Sequence, residues 1–145
     1  MLLLISLMLT YVGYLDNIND VSELKWLKRV LIVVDDKNLE LSKSCGLHIQ
    51  KFIERDFILV SVVDNKIFVD SKLMPKKFSK SIYKKIEGIN KQHNFVLIGK
   101  DGTIKKTYHR DVDMEIIFFD VDKMPMRKYE KKMKKNKNFL NIITC

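Results

Sequence analysis

Cysteine is nearly absent: Cys45 and Cys145 are the two in 145 residues. That count excludes a disulfide-built scaffold, which needs several bridges to stand in for a core. Two prolines and five glycines exclude a collagenous chain and a string of flexible linkers. A long apolar run is also missing, since a membrane span needs about 20 such residues. The nearest approach is "MLLLISLMLTYVGYL", the uncharged residues 1–15 before Asp16. Its length suits the core of an export signal, although the basic residues that usually precede such a core are absent. Residues 1–15 are therefore expected to be an export signal or hydrophobic leader, and the protein to be exported (periplasmic, secreted or cell-surface). An uncleaved anchor and a first element of the domain are the alternatives.

Acidic residues are scarce in one place. The chain has 27 Lys/Arg against 18 Asp/Glu, a net charge of +9. Residues 123–137, "KMPMRKYEKKMKKNK", hold eight of the basic residues and one acidic residue. The remainder is nearly balanced, so no domain-wide basic groove and no specific nucleic-acid partner is expected. Residues 127–145 read as a basic C-terminal tail, either solvated or binding anions. In the second case Lys128, Lys131, Lys132, Lys134 and Lys135 would make weak, salt-sensitive contact with anionic lipid or glycan. Tyr129 is its one interleaved aromatic, too little for base stacking along a single strand.

An apolar content of 46% with 10% aromatics is that of a folded chain, and the length suits one domain. We place that domain at residues 16–126. Arg29 to Asp35 contains an unbroken Val-Leu-Ile-Val-Val run, as in a strand buried on both faces. Asn38 can cap a helix whose stripe is Leu39, Leu41, Leu47, Ile49, Phe52 and Ile53. "FILVSVV" is a second buried strand, and "NKIFVD" extends it or forms a short edge strand. Lys76 to Asn90 is helical, with Phe78, Ile82, Tyr83, Ile86 and Ile89 near one face. "NFVLIG" and "TIKKTY" flank Lys100–Asp101–Gly102, whose Asp-Gly pair predicts a type I′ hairpin turn. Asp111 can cap a last helix with Val112, Ile116, Ile117, Phe119 and Val121 on its apolar face. Pro125 ends that helix or starts a new segment.

The order β-α-β-α-β-β-α predicts an α/β fold: a thioredoxin-like three-layer sandwich with a mixed sheet of four strands, or five, between flanking helices. Four stretches resemble one family: "ELKWLKRVLIVV", "IERDFILVSVV", "FVLIGKDGTIK" and "FFDVDKMPMRKYEKKM". Together they are similar to the thioredoxin/peroxiredoxin-like domain-of-unknown-function family 4174, over about residues 22–133. The Met124–Pro125–Met126–Arg127 ending is the most specific of these. The resemblance implies the thioredoxin fold without an established activity. It also implies small exported bacterial relatives and a place in extracellular sushi-repeat proteins.

Redox members of this fold hold a thiolate at the start of the first helix, where the dipole and free N–H groups lower its pKa. Here that position is Asp35–Asp36–Lys37–Asn38. Cys45 comes about two turns later, and no proline precedes the third strand ("KQHNF"). Cys45 therefore reads as a small packed residue, with a reactive thiol as the alternative. Cys45 and His48 share a helical face, but two ligands do not close a zinc site. His93 and His109 lie in other segments, and neither metal nor cofactor is expected. Asp35 and Asp36 read as a solvated loop or an acidic pair at the sheet edge, and Arg55–Asp56 as a local ion pair or a helix-end charge arrangement. Met124, Pro125, Met126 and Arg127 either pack on the core or form a contact surface for an unknown protein partner. The reading is a non-catalytic binding or interaction module. An atypical oxidoreductase using Cys45 and an anionic-surface binder using the tail are the alternatives.

Overall fold

The computed structural model describes residues 17–35 and 48–135. Residues 1–16, the segment after Asp35 that holds Asn38 and Cys45, and residues 136–145 with Cys145 lie outside them. A short 3-10 turn (Val21–Leu24) leads to β1 (Arg29–Val34), α1 (Ile49–Glu54) and β2 (Phe57–Val63). Then come β3 (Lys66–Val69), β4 (Lys72–Leu73), α2 (Lys76–Ile86), β5 (His93–Ile98) and β6 (Ile104–His109). Two helices, α3 (Met114–Asp122) and α4 (Pro125–Lys135), finish the described chain.

These strands form one mixed sheet in the order β4-β3-β2-β1-β5-β6. β1 and β2 are parallel, with Arg29 beside Phe57 and Val34 beside Val62. All other neighbours are antiparallel. The parallel pair followed by an antiparallel hairpin and a covering helix is the thioredoxin arrangement. The sheet has six strands rather than the four or five expected. The two extra edges arise at Asp64–Asn65 and Asp70–Ser71, where both residues of each two-residue loop have positive φ. Short polar side chains tolerate that conformation, which reverses a strand within two residues. Without a glycine in either loop, the sequence marks these turns weakly.

The turn expected to be type I′ is different. Only Gly102 of Lys100–Asp101–Gly102 has positive φ, at 78°. Gly102 N–H donates to the Gly99 carbonyl and Gly99 N–H to the Thr103 carbonyl, both at 3.0 Å. This is a three-residue loop closed by a left-handed glycine. A Cβ on Gly102 would meet Lys25 carbons only at an ordinary 3.7 Å. Gly102→Ala should therefore lose only the conformational term, about 1–2 kcal/mol in a denaturant titration.

Alternation along the strands builds two cores. Val30, Ile32, Ile58, Val60 and Val96 face Phe78 and Ile82 of α2, Leu24 and Ile18. Leu31, Val33, Leu59, Phe95 and Leu97 face Met114, Ile117, Phe118 and Val121 of α3 and Phe52 of α1. Asp113, rather than Asp111, caps α3 by accepting from Glu115 N–H at 2.9 Å. That cap fixes the phase of the helix. Phe118 turns inward, while Ile116 and Phe119, expected on the apolar face, are exposed. Pro125 starts α4, so the expected boundary between domain and tail at residues 126 and 127 falls inside one helix.

Candidate functional site

The carboxyl end of β1 is the kind of edge at which open α/β sheets bind ligands. Asp35 leaves the strand in a left-handed conformation, φ 60°. Arg110 donates to its carboxylate at 3.0 Å, and both side chains are exposed. The hairpin brings His93 and His109 to the same edge, with ring centroids 4.5 Å apart at 82°. His93 Nδ1 lies in hydrogen-bond contact with Thr107 Oγ1. Asn94 ties the strand ends by donating to the Val34 carbonyl at 3.3 Å. The imidazole pair was missed in the sequence, yet it was findable: the two histidines stand equally far from the turn, and the register shifts between them cancel. Elsewhere, His48 lies against Phe118 with centroids 5.8 Å apart, and its buried Nδ1 has no hydrogen-bond partner among the described residues. Cys45 and Asp36 lie outside the described residues. Among the described residues no group of three His, Cys, Asp or Glu side chains is placed to hold a metal.

The opposite end of the sheet carries a dense ionic cluster. Arg29 opens β1 with only 1% of its surface exposed. It donates to the Arg55 carbonyl at 2.8 Å and to both Glu130 oxygens at 3.0 and 3.1 Å. Lys100 reaches Glu130 and Asp56, each at 2.8 Å. Arg55 forks onto Asp122 at 2.8 and 3.1 Å. Arg127 joins the same carboxylate at 3.2 Å and donates to the Glu54 carbonyl at 2.8 Å. Arg55 and Asp56, expected to pair locally, thus take separate distant partners. Each of the four stretches that carry the family resemblance supplies part of this cluster.

Burial raises the carboxyls of Glu130, Asp122 and Asp56, but the hydrogen bonds from Arg29, Lys100, Arg55 and Arg127 outweigh it. All three therefore titrate below their ordinary 4.5 and 3.8. A carboxyl with its folded pKa depressed contributes stability above its unfolded pKa and loses it as pH falls through the folded value. Thermal melts should be level from neutral pH to about pH 5 and fall steeply below about pH 4. A midpoint independent of pH down to about 3 would contradict the cluster's role.

The candidate contact residues divide between the interior and the surface. Met124 packs on the α3 core and Arg127 is buried in the ionic cluster, whereas Pro125 and Met126 are exposed. Lys128, Lys131, Lys132 and Lys134 are exposed on α4. Lys131 reaches Asp122 at 3.4 Å and Lys134 the Glu54 carbonyl at 2.9 Å. The side chain of Lys135 lies outside the described residues.

A parallel strand pair, an antiparallel hairpin and helices on both faces define a thioredoxin-like α/β protein. The chain belongs to the family described as "Domain of unknown function (DUF4174)", which matches residues 20–130. It is similar to the structure of the mitochondrial 2-cys peroxiredoxin from Plasmodium falciparum. That match has a TM-score of 0.45 at 14% identity and covers 70% of this chain and 78% of that one. No curated protein matches the sequence.

Proposed function

We propose that this protein is a non-catalytic thioredoxin-like interaction module, exported from the cytoplasm. The observation that carries the proposal is the residue leaving β1: a carboxylate, Asp35, held by Arg110. It is followed in sequence by Asp36, Lys37 and Asn38 rather than by a thiol. Neighbouring carboxylates disfavour a thiolate, the reverse of what a redox site needs. The imidazole pair, with His109 exposed and His93 half-buried, and the exposed Asp35–Arg110 pair offer hydrogen-bonding groups for polar recognition at this edge. Export rests on the apolar leader. Insulin reduction and peroxide consumption should stay at background and be unchanged by Cys45→Ser. Activity lost on that substitution would contradict the proposal.

A second reading makes the protein a thiol-dependent oxidoreductase acting through Cys45. The observation favouring it is His48, three residues on, whose Nδ1 has no partner among the described residues and which could pair with a thiolate. Cys45→Ser and His48→Ala would then remove activity together.

A further inference from the structure

A helix that closes a domain ordinarily turns its apolar side inward. On α4 the charged residues Arg127 and Glu130 face the domain, with side chains 5% and 14% exposed. Met126, Tyr129 and Met133, at i, i+3 and i+7, share the solvent side, and they are 40%, 64% and 44% exposed. Lys128 and Lys132 stand exposed beside this stripe and form no ion pair among the described residues. The ionic cluster fixes this orientation, because turning the stripe inward would pull Glu130 away from Arg29 and Lys100.

A second apolar group lies at the same end. Trp26 has φ 68°, a costly conformation for a bulky side chain, and the residue is 59% exposed. Leu27 beside it is 53% exposed. The backbone there is held by Trp26 N–H donating to the Lys100 carbonyl at 2.6 Å. The ammonium of that same Lys100 grips Glu130 of α4 at 2.8 Å. Lys25 lies over the Trp26 ring, 5.2 Å from its centroid. The fold thus spends backbone strain to keep a tryptophan in water, beside Lys25 and at the same end of the molecule as the exposed Tyr-Met stripe.

We propose that this end of the molecule, Trp26–Leu27 and the outer side of α4, docks on the surface of an anionic lipid bilayer. Tryptophan and tyrosine settle at the level of the headgroups. Methionine and leucine enter the acyl boundary, while lysines meet lipid phosphates. A second copy of the chain fits less well, since an isologous contact would set Lys128 and Lys132 near their own copies. The proposal rests on the interaction-module reading. A Cys45-dependent activity would strike that reading and leave the lipid result standing, so the two failures are distinguishable.

Trp26 is the sole tryptophan, so its emission reports this end without a label. The full chain is titrated with vesicles of phosphatidylcholine alone and of phosphatidylcholine mixed with phosphatidylglycerol. A blue shift and co-sedimentation are expected with the mixed vesicles only, weakening as salt rises. Lys128→Gln with Lys132→Gln should lower the apparent affinity roughly thirtyfold. Tyr129→Ser with Met133→Ser should weaken binding while leaving the melting curve in place. Four results would overturn the proposal. They are an unmoved emission with both vesicles, an equal shift with phosphatidylcholine alone, sedimentation unaffected by the α4 substitutions, and vesicle-free self-association lost on Tyr129→Ser.

Discussion

Glu130→Ala is expected to destabilise the protein by about 3–5 kcal/mol in a denaturant titration, the range for removing one partner from a buried ion pair. Arg29 would keep the Arg55 carbonyl at 2.8 Å but lose both carboxylate contacts. Its Nε already lacks a partner among the described residues, so the guanidinium would be left largely unpaired where water does not reach. Lys100 would retain Asp56. The double substitution Arg29→Met with Glu130→Leu removes the stranded charge as well as the bond, and it should recover much of the loss. A Glu130→Ala effect below about 1 kcal/mol, the level of an exposed pair, would show that the cluster does not hold α4 to the sheet.

Phe118→Ala is expected to cost a similar amount, about 3–5 kcal/mol, by loss of buried area and by the cavity left behind. Phe118 is 2% exposed. It meets Phe52 edge to face at 5.4 Å and Phe57 at 6.3 Å. The Arg55 guanidinium lies 4.9 Å from its ring centroid. The side chain therefore joins the aromatic core to the ionic cluster, and truncation loosens Arg55 as well as α1. Phe118→Leu keeps most of the volume and should cost clearly less. Equal losses in the two variants would mean that the ring stacking, rather than the volume, is what counts.

The sheet was legible because its strands announce themselves. A strand such as Val30–Val33, buried on both faces, has to be written as a continuous apolar run. The Phe78 and Ile82 stripe of α2 was equally plain, since one helical side must meet the sheet. Phase was harder to read. A two-residue shift of the cap, from Asp111 to Asp113, changes the phase of α3 enough to exchange Phe118 for Phe119 as the buried ring. The turns at Asp64–Asn65 and Asp70–Ser71 hid because no glycine marks them, although both residues of each adopt positive φ.

The ionic cluster was present in the sequence as four separate strings and invisible as one object. Arg29 and Glu130 stand 101 residues apart, and local periodicity carries nothing across that distance. The same gap explains the tail. Read alone, Arg127 to Lys135 is a basic run with no inward side. With Arg29, Arg55 and Lys100 waiting at the end of the sheet, Glu130 and Arg127 become the side that docks. The basic residues then divide into those held by the domain and those left facing out.

Cys45 is expected to be an unactivated thiol. The most direct measurement is the rate of Cys45 alkylation against pH in the native full chain, with Cys145→Ser removing the second thiol. The account predicts negligible reaction below about pH 7, with any rise following ordinary thiol ionisation near pH 8.5 or waiting for unfolding. Rapid alkylation below about pH 7 would reveal a thiolate stabilised in the folded state and would contradict it.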